Sequence, residues 1–190
     1  MDTLSDLVIW SKVYYSLTGQ VGIGEKEWLK AHLSFRLFKL GRLQFCMGKF
    51  EKDYPKLGIK TNDKTLETHI AETGEKLDIT DCCVSIERAK QFFEKHFAYF
   101  NYQYFSCHSW LLDDTLKDLL PLESNIIKFG ALFDKIDKNE SDAILKYVFK
   151  WNTRRENLAD FPAKSSLGAK IKERERQGGK FFEVLGVLKK

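Results

Sequence analysis

Proline is scarce here: Pro55, Pro121 and Pro162 stand far apart, and no Pro/Gly-rich stretch joins them into a linker. Repeats and low-complexity tracts are also missing, so residues 1–190 read as a single domain. Cysteine is thin too. Cys46, Cys82, Cys83 and Cys107 make neither a Cys-x-x-Cys pair nor a disulfide framework, which points to reduced thiols in a cytoplasmic compartment. No apolar run nears the roughly 18 residues of a bilayer span. The opening MDTLSDLVIWSKVYYSL has Asp2 and Asp6 where a signal peptide carries Lys or Arg. A cytoplasmic protein without membrane attachment is the expectation. A strong excess of one charge is lacking as well, since 31 basic residues face 27 acidic ones. A net charge of +4 is too mild for a dedicated nucleic-acid binder. The surplus is uneven, however: residues 150–190 hold 11 Lys and Arg against 5 Asp and Glu, and so offer a basic face to an anionic ligand.

What the chain has in plenty is periodic hydrophobicity, with 43% hydrophobic and 14% aromatic residues. Leu4, Leu7, Val8, Val13, Tyr14 and Leu17 recur at helical spacing and Gly19 ends them. A second helix is predicted over about 25–35, with Trp28, Leu29 and His32 on one face. The period then changes to two. Leu43, Phe45 and Met47, and after the turn at Pro55 and Gly58 Leu66, Thr68 and Ile70, predict an antiparallel strand pair. Ser85 is expected to cap an amphipathic helix carrying Ile86, Ala89, Phe92, Phe93 and Phe97. A central strand within 102–112, short helices at 114–120 and from Ser124, and a helix from Glu140 or Ser141 through Phe149 follow. Ser165 opens a last helix to Gln177, closed by Gly178 and Gly179, and KFFEVLGVL reads as a final strand. Helices mixed with strands, some in hairpins, indicate an α/β (α+β) sheet domain.

More specific than periodicity are whole phrases: LSFRLFKLGRLQF at 33–45, THIAETGEKL at 68–77, FSCHSWLLD at 105–113, LPLESNIIKF at 120–129 and SSLGAKIKERERQGG at 165–179. In that order the chain resembles bacterial acyltransferase-domain proteins whose C-terminal half is GNAT-like, that is, N-acetyltransferase-like. The resemblance implies a mixed, mostly antiparallel sheet flanked by helices and an acyl-CoA co-substrate. The acceptor it implies is a small-molecule or peptide amine. It departs from the family in two ways. The helical N-terminal domain that usually comes first is absent, which suggests a separate N-terminal-domain protein as partner. A His-Ile-Pro-Glu-Gly phrase becomes His69-Ile70-Ala71-Glu72-Thr73-Gly74. The Gln/Arg-x-x-Gly-x-Gly/Ala phosphate loop of ordinary GNAT enzymes is not visible in the sequence.

The chemistry-bearing residues are few. His69 and Glu72, three apart at a strand end, can turn into one cleft and take a proton from an attacking amine; otherwise they are a strand-end histidine and a solvated glutamate. Cys107 and Ser109 share one strand face and His108 the other, so they form no triad, though His108 alone can serve as acid or base. His69, Glu72, Cys107 and His108 lack any metal-ligand spacing, and no metal is expected. For the phosphates of a CoA donor the candidates are Lys164, Ser165, Ser166, Lys170, Gly178 and Gly179, where basic charge meets a helix start; Arg36 and Arg42 are the alternative position. The resemblance implies transfer by direct attack of the amine, which needs no covalent enzyme intermediate. The competing reading is a non-catalytic ligand- or protein-binding domain that keeps the fold.

Overall fold

The structure, a computed structural model, describes residues 2–24, 26–71 and 75–190. Its helices are α1 (Ser5–Thr18), α2 (Lys26–Leu33), α3 (Ile79–His96), α4 (Leu116–Leu119), α5 (Asn125–Gly130), α6 (Ala143–Val148) and α7 (Ser166–Arg176). The strands are β1 (Leu37–Leu40), β2 (Leu43–Lys49), β3 (Lys64–Ile70), β4 (Tyr104–Ser109), β5 (Asp134–Glu140) and β6 (Phe182–Lys189), ordered β1-β2-β3-β4-β6-β5. Pairing is antiparallel for β1–β2, β2–β3 and β5–β6. Only three pairs, Thr65–Glu67 with Tyr104–Ser106, make the parallel β3–β4 ladder, which needs a crossover that α3 supplies. This is the α/β mixture with a mostly antiparallel sheet that the sequence led us to expect. Among the described residues no helix is long and apolar enough to cross a membrane.

By contacts the chain divides into two compact units, residues 1–106 with 188–190 and residues 107–187. In the first, the predicted strand pair is β2–β3, in register Leu43↔Ile70, Phe45↔Thr68 and Met47↔Leu66. The four-residue β1 was not foreseen, because its Leu37-Phe38-Lys39-Leu40 run shows no alternation; it forms because Gly41, at φ +90°, turns the chain tightly back into β2. β2 is buried on both faces. Phe38, opposite Phe45, packs against Phe92, Phe93 and Phe97 of α3, while Gln44 on the other face meets α1. Leu43, Phe45, Leu66 and Phe105 have essentially no exposed surface.

α3 begins six residues before the expected cap. Asp78 caps it, accepting from the N–H groups of Thr80 and Asp81 at 2.8 and 3.2 Å. Ser85 is instead buried inside the helix, where its Oγ donates back to Asp81 O at 2.8 Å and accepts from the N–H groups of Arg42 and Leu43 at 2.8 and 3.3 Å. A serine that looked like a helix start is therefore the latch between α3 and the β1–β2 turn.

The second unit has its own core of Leu116, Leu119, Ile144, Leu145, Leu158, Ile171 and Phe181. Gly186 in β6 permits close packing there, since a Cβ would lie 2.6 Å from Leu112 Cδ2 and 2.7 Å from Phe133 Cβ. The buried Asp113 is satisfied by the Thr115 N–H and hydroxyl and the Phe182 N–H at 2.8–3.0 Å. α7 starts where expected. Ser165 Oγ accepts from Gly168 N–H at 3.0 Å, and Gly178 ends the turn at φ +73°.

Candidate active site

Alternation along β3 puts Glu67 and His69 on one face, opposite Cys46 and Gln44 of β2. Next to Cys46, Gly48 has a structural duty: any Cβ there would collide with the Glu67 carboxylate. The His69 side chain is 35% exposed, yet its Nε2 is covered and, among the described residues, has no hydrogen-bond partner. The Glu67 carboxylate lies 3.8 Å from that nitrogen, within ion-pair distance and beyond a hydrogen bond.

A buried polar hub holds this face in place. One oxygen of Asp6, on α1, accepts from Gln44 Nε2 at 2.7 Å and Trp28 Nε1 at 3.2 Å, and His32 Nε2 stands 3.2 Å from the same atom. His32 Nδ1 is 2.9 Å from Trp28 O. The Trp28 ring in turn meets the His69 ring edge-on, centroids 4.6 Å apart. His69 is thus bracketed by Trp28 and by its cross-strand neighbour Gln44, both tied to Asp6. Burial is unusual for a carboxylate, and three converging partners are what make it tolerable.

The thiols of Cys46 and Cys82 are disfavoured as nucleophiles. Burial first, then the Glu67 charge, push the Cys46 thiol up to about 11 against the opposing pull of Arg36, and burial pushes Cys82 up to about 12. Cys107 is buried in β4, His108 is exposed on the other side, and Ser109 Oγ accepts from Leu111 N–H at 3.2 Å, as the strand alternation required.

Of the sequence-derived candidates, Glu72 lies outside the described residues; the carbonyls flanking it, of Ala71 and Glu75, accept from Arg42 Nη1 and Nη2 at 2.8 and 3.3 Å. His69 belongs to the first unit, while His108 and the basic candidates belong to the second. Lys164 and Ser166 are exposed, whereas Ser165 is occupied in capping and Lys170 Nζ donates to Leu119 O at 2.7 Å. Gly178 is exposed, and Gly179 packs so tightly on Arg174 that a Cβ would clash. Arg36 donates from Nη2 to Met47 O at 2.7 Å. Sequence reasoning missed Glu67, although its spacing of two from His69 on a predicted strand was a usable signal. It also missed Asp6 and Gln44, whose roles depend on contacts 22 to 38 residues away.

Comparison with known proteins adds a family to this geometry. Residues 37–188 match the model of a family described as GNAT-like C-terminal domain, leaving α1 and α2 before the matched region. No curated protein matches. Solved structures do. An acyltransferase in complex with decanoyl-CoA and teicoplanin superposes with a TM-score of 0.85 at 27% identity, over 99% of this chain and 57% of that one. A mutant acyltransferase with octanoyl-CoA, and an acyltransferase with CoA and 10C-teicoplanin, give 0.85 at 26% over the same shares. This chain therefore spans little more than half the length of those proteins. With 37–188 covered by the family model, the chain belongs to the GNAT-like C-terminal domain family.

Proposed function

We propose that this protein transfers an acyl group from acyl-CoA to an amine, with His69 as the base. One observation carries the reading. A partly exposed imidazole, whose Nε2 has no hydrogen-bond partner among the described residues, stands 3.8 Å from a carboxylate, in a chain whose matched structures are acyltransferases holding acyl-CoA or CoA. The amine attacks the thioester carbonyl and gives its proton to the His69 imidazole; Glu67 stabilises the resulting imidazolium, as a carboxylate does in a catalytic triad. The N–C bond forms and the C–S bond breaks. The CoA sulfur leaves and takes the proton back from the imidazolium.

Glu72 and His108 are the further proton-handling groups in this proposal. The donor phosphates are assigned to the start of α7, with Lys164, Ser165, Ser166 and Lys170, and to the Gly178–Gly179 turn. The acceptor class to try first is a glycopeptide amine, because teicoplanin is bound in matched structures. A cytoplasmic reaction completes the proposal.

Calorimetry with acetyl-, octanoyl- and decanoyl-CoA tests the donor, and thiol release in the presence of an amine panel tests the transfer. His69→Ala should lower turnover about 10²–10⁴-fold, the range for a positioned base, with Glu67→Gln intermediate. Absence of binding at millimolar acyl-CoA would overturn the proposal. Donor binding with no His69-dependent release would favour the non-catalytic domain.

A further inference from the structure

The first unit also holds a cleft of about 170 Å³ between the β1–β2 turn and α3, on the side of the turn latched by Ser85. Three cations line it: Lys39, Arg42 and Arg88. Arg42 is fixed by two neutral acceptors, the carbonyls of Ala71 and Glu75, so its orientation is set without an ion pair among the described residues. The guanidinium of Arg88 lies over Gly41, where a Cβ would sit 3.4 Å from its Nη1 and 2.7 Å from Ser85 Oγ. Gly41, at φ +90°, thus keeps the floor of the cleft open. Among the described residues no carboxylate lies within ion-pair distance of Lys39, Arg42 or Arg88, although Glu75 and Asp81 also border the cleft.

We infer that this cleft is a phosphate-binding site. Surface cations normally scatter among carboxylates. Here three converge without an ion pair among the described residues, one of them held by backbone carbonyls, and a phosphate dianion meets them better than a singly charged carboxylate does. The site shares no residue with the α7 candidates and does not depend on the acyl-CoA reading. Its ligand is free phosphate or diphosphate, or one of the phosphates of CoA, which carries both a diphosphate and a separate monoester.

The test is calorimetry at low salt with inorganic phosphate, pyrophosphate, CoA and dephospho-CoA. It compares the intact chain with a Lys39→Ala/Arg88→Ala double variant, whose two side chains make no ion pair within the described structure; its fold is verified by its melting temperature. The expected result is binding that weakens at least tenfold in the double variant and falls steeply with salt. Weakening for CoA but not for dephospho-CoA identifies the monoester of CoA as the ligand; equal weakening of pyrophosphate, CoA and dephospho-CoA identifies a diphosphate. Failure of every probe to bind, or unchanged affinities in a folded double variant, overturns the inference. CoA binding that ignores these substitutions leaves the donor reading standing and removes this one. Pyrophosphate binding that depends on them, without any CoA binding, does the reverse.

Discussion

Replacing Asp6 with Ala probes the hub behind His69 most directly. The substitution strands Gln44 Nε2, Trp28 Nε1 and His32 Nε2, all now within 2.7–3.2 Å of one carboxyl oxygen. Asp6 and His32 are each 3% exposed and Gln44 is 1% exposed, so bulk water cannot replace the lost acceptor freely. An unpaired buried donor costs about 1–3 kcal/mol, and a water entering the vacated space recovers part of that, which leaves an expected loss of about 4 kcal/mol. That is a large share of the roughly 5–15 kcal/mol by which a domain is stable. At about 2–4 °C per kcal/mol for a chain of this size, the melting temperature should fall by about 8–16 °C. Asp6→Asn keeps an acceptor of the same shape without the charge, and should cost about 1–2 kcal/mol. The assay is thermal melting followed by far-UV circular dichroism, with tryptophan fluorescence reporting on Trp28. An Asp6→Ala protein melting within 1 °C of the parent, on the order of the error of such a measurement, would refute the hub.

Gly48→Ala should push the Glu67 carboxylate away from His69, because that flexible side chain is what a Cβ would strike. Acyl transfer should drop about tenfold or more while the melting temperature moves by only about 2–4 °C, and activity and melting measured on one sample separate the two effects. Ellman's reagent should titrate only the exposed Cys83 in the native protein at pH 8, with Cys46, Cys82 and Cys107 reacting after denaturation; burial keeps Cys46 and Cys82 protonated, near about 11 and about 12. More than one fast thiol would contradict that. Glu175 is held above the ordinary carboxylate range, chiefly by burial, with Asp142 and Glu140 raising it further and Arg155 opposing. A raised carboxyl binds its proton more tightly folded than unfolded, so its contribution is complete below the ordinary value and is lost as pH rises through the folded one. Glu175→Gln should therefore stabilise the protein at pH 7 relative to the parent and lose that advantage at pH 4, as read from urea midpoints at the two pH values; an advantage equal at both would refute the assignment.

Local chemistry made much of this molecule legible in advance. The β2–β3 pair, the end of α1 at Gly19 and the α7 cap at Ser165 follow from period and backbone preference over a few residues, and they stand where the sequence placed them. Ser85 was misread because a serine before an apolar stripe looks alike at a helix start and inside a helix; only the approach of the β1–β2 turn, 42 and 43 residues away, gives its hydroxyl two donors to accept from. His69 was visible as a histidine at a strand end, and Glu67 was readable from the same alternation. Tertiary structure decided that Asp6, Trp28 and Gln44 stand behind His69, and that Lys39, Arg42 and Arg88 share a cleft. The physical reason is common to both cases. Periodicity records which face of an element is buried, whereas a hydrogen bond or a converging charge depends on which distant element the chain brings against that face.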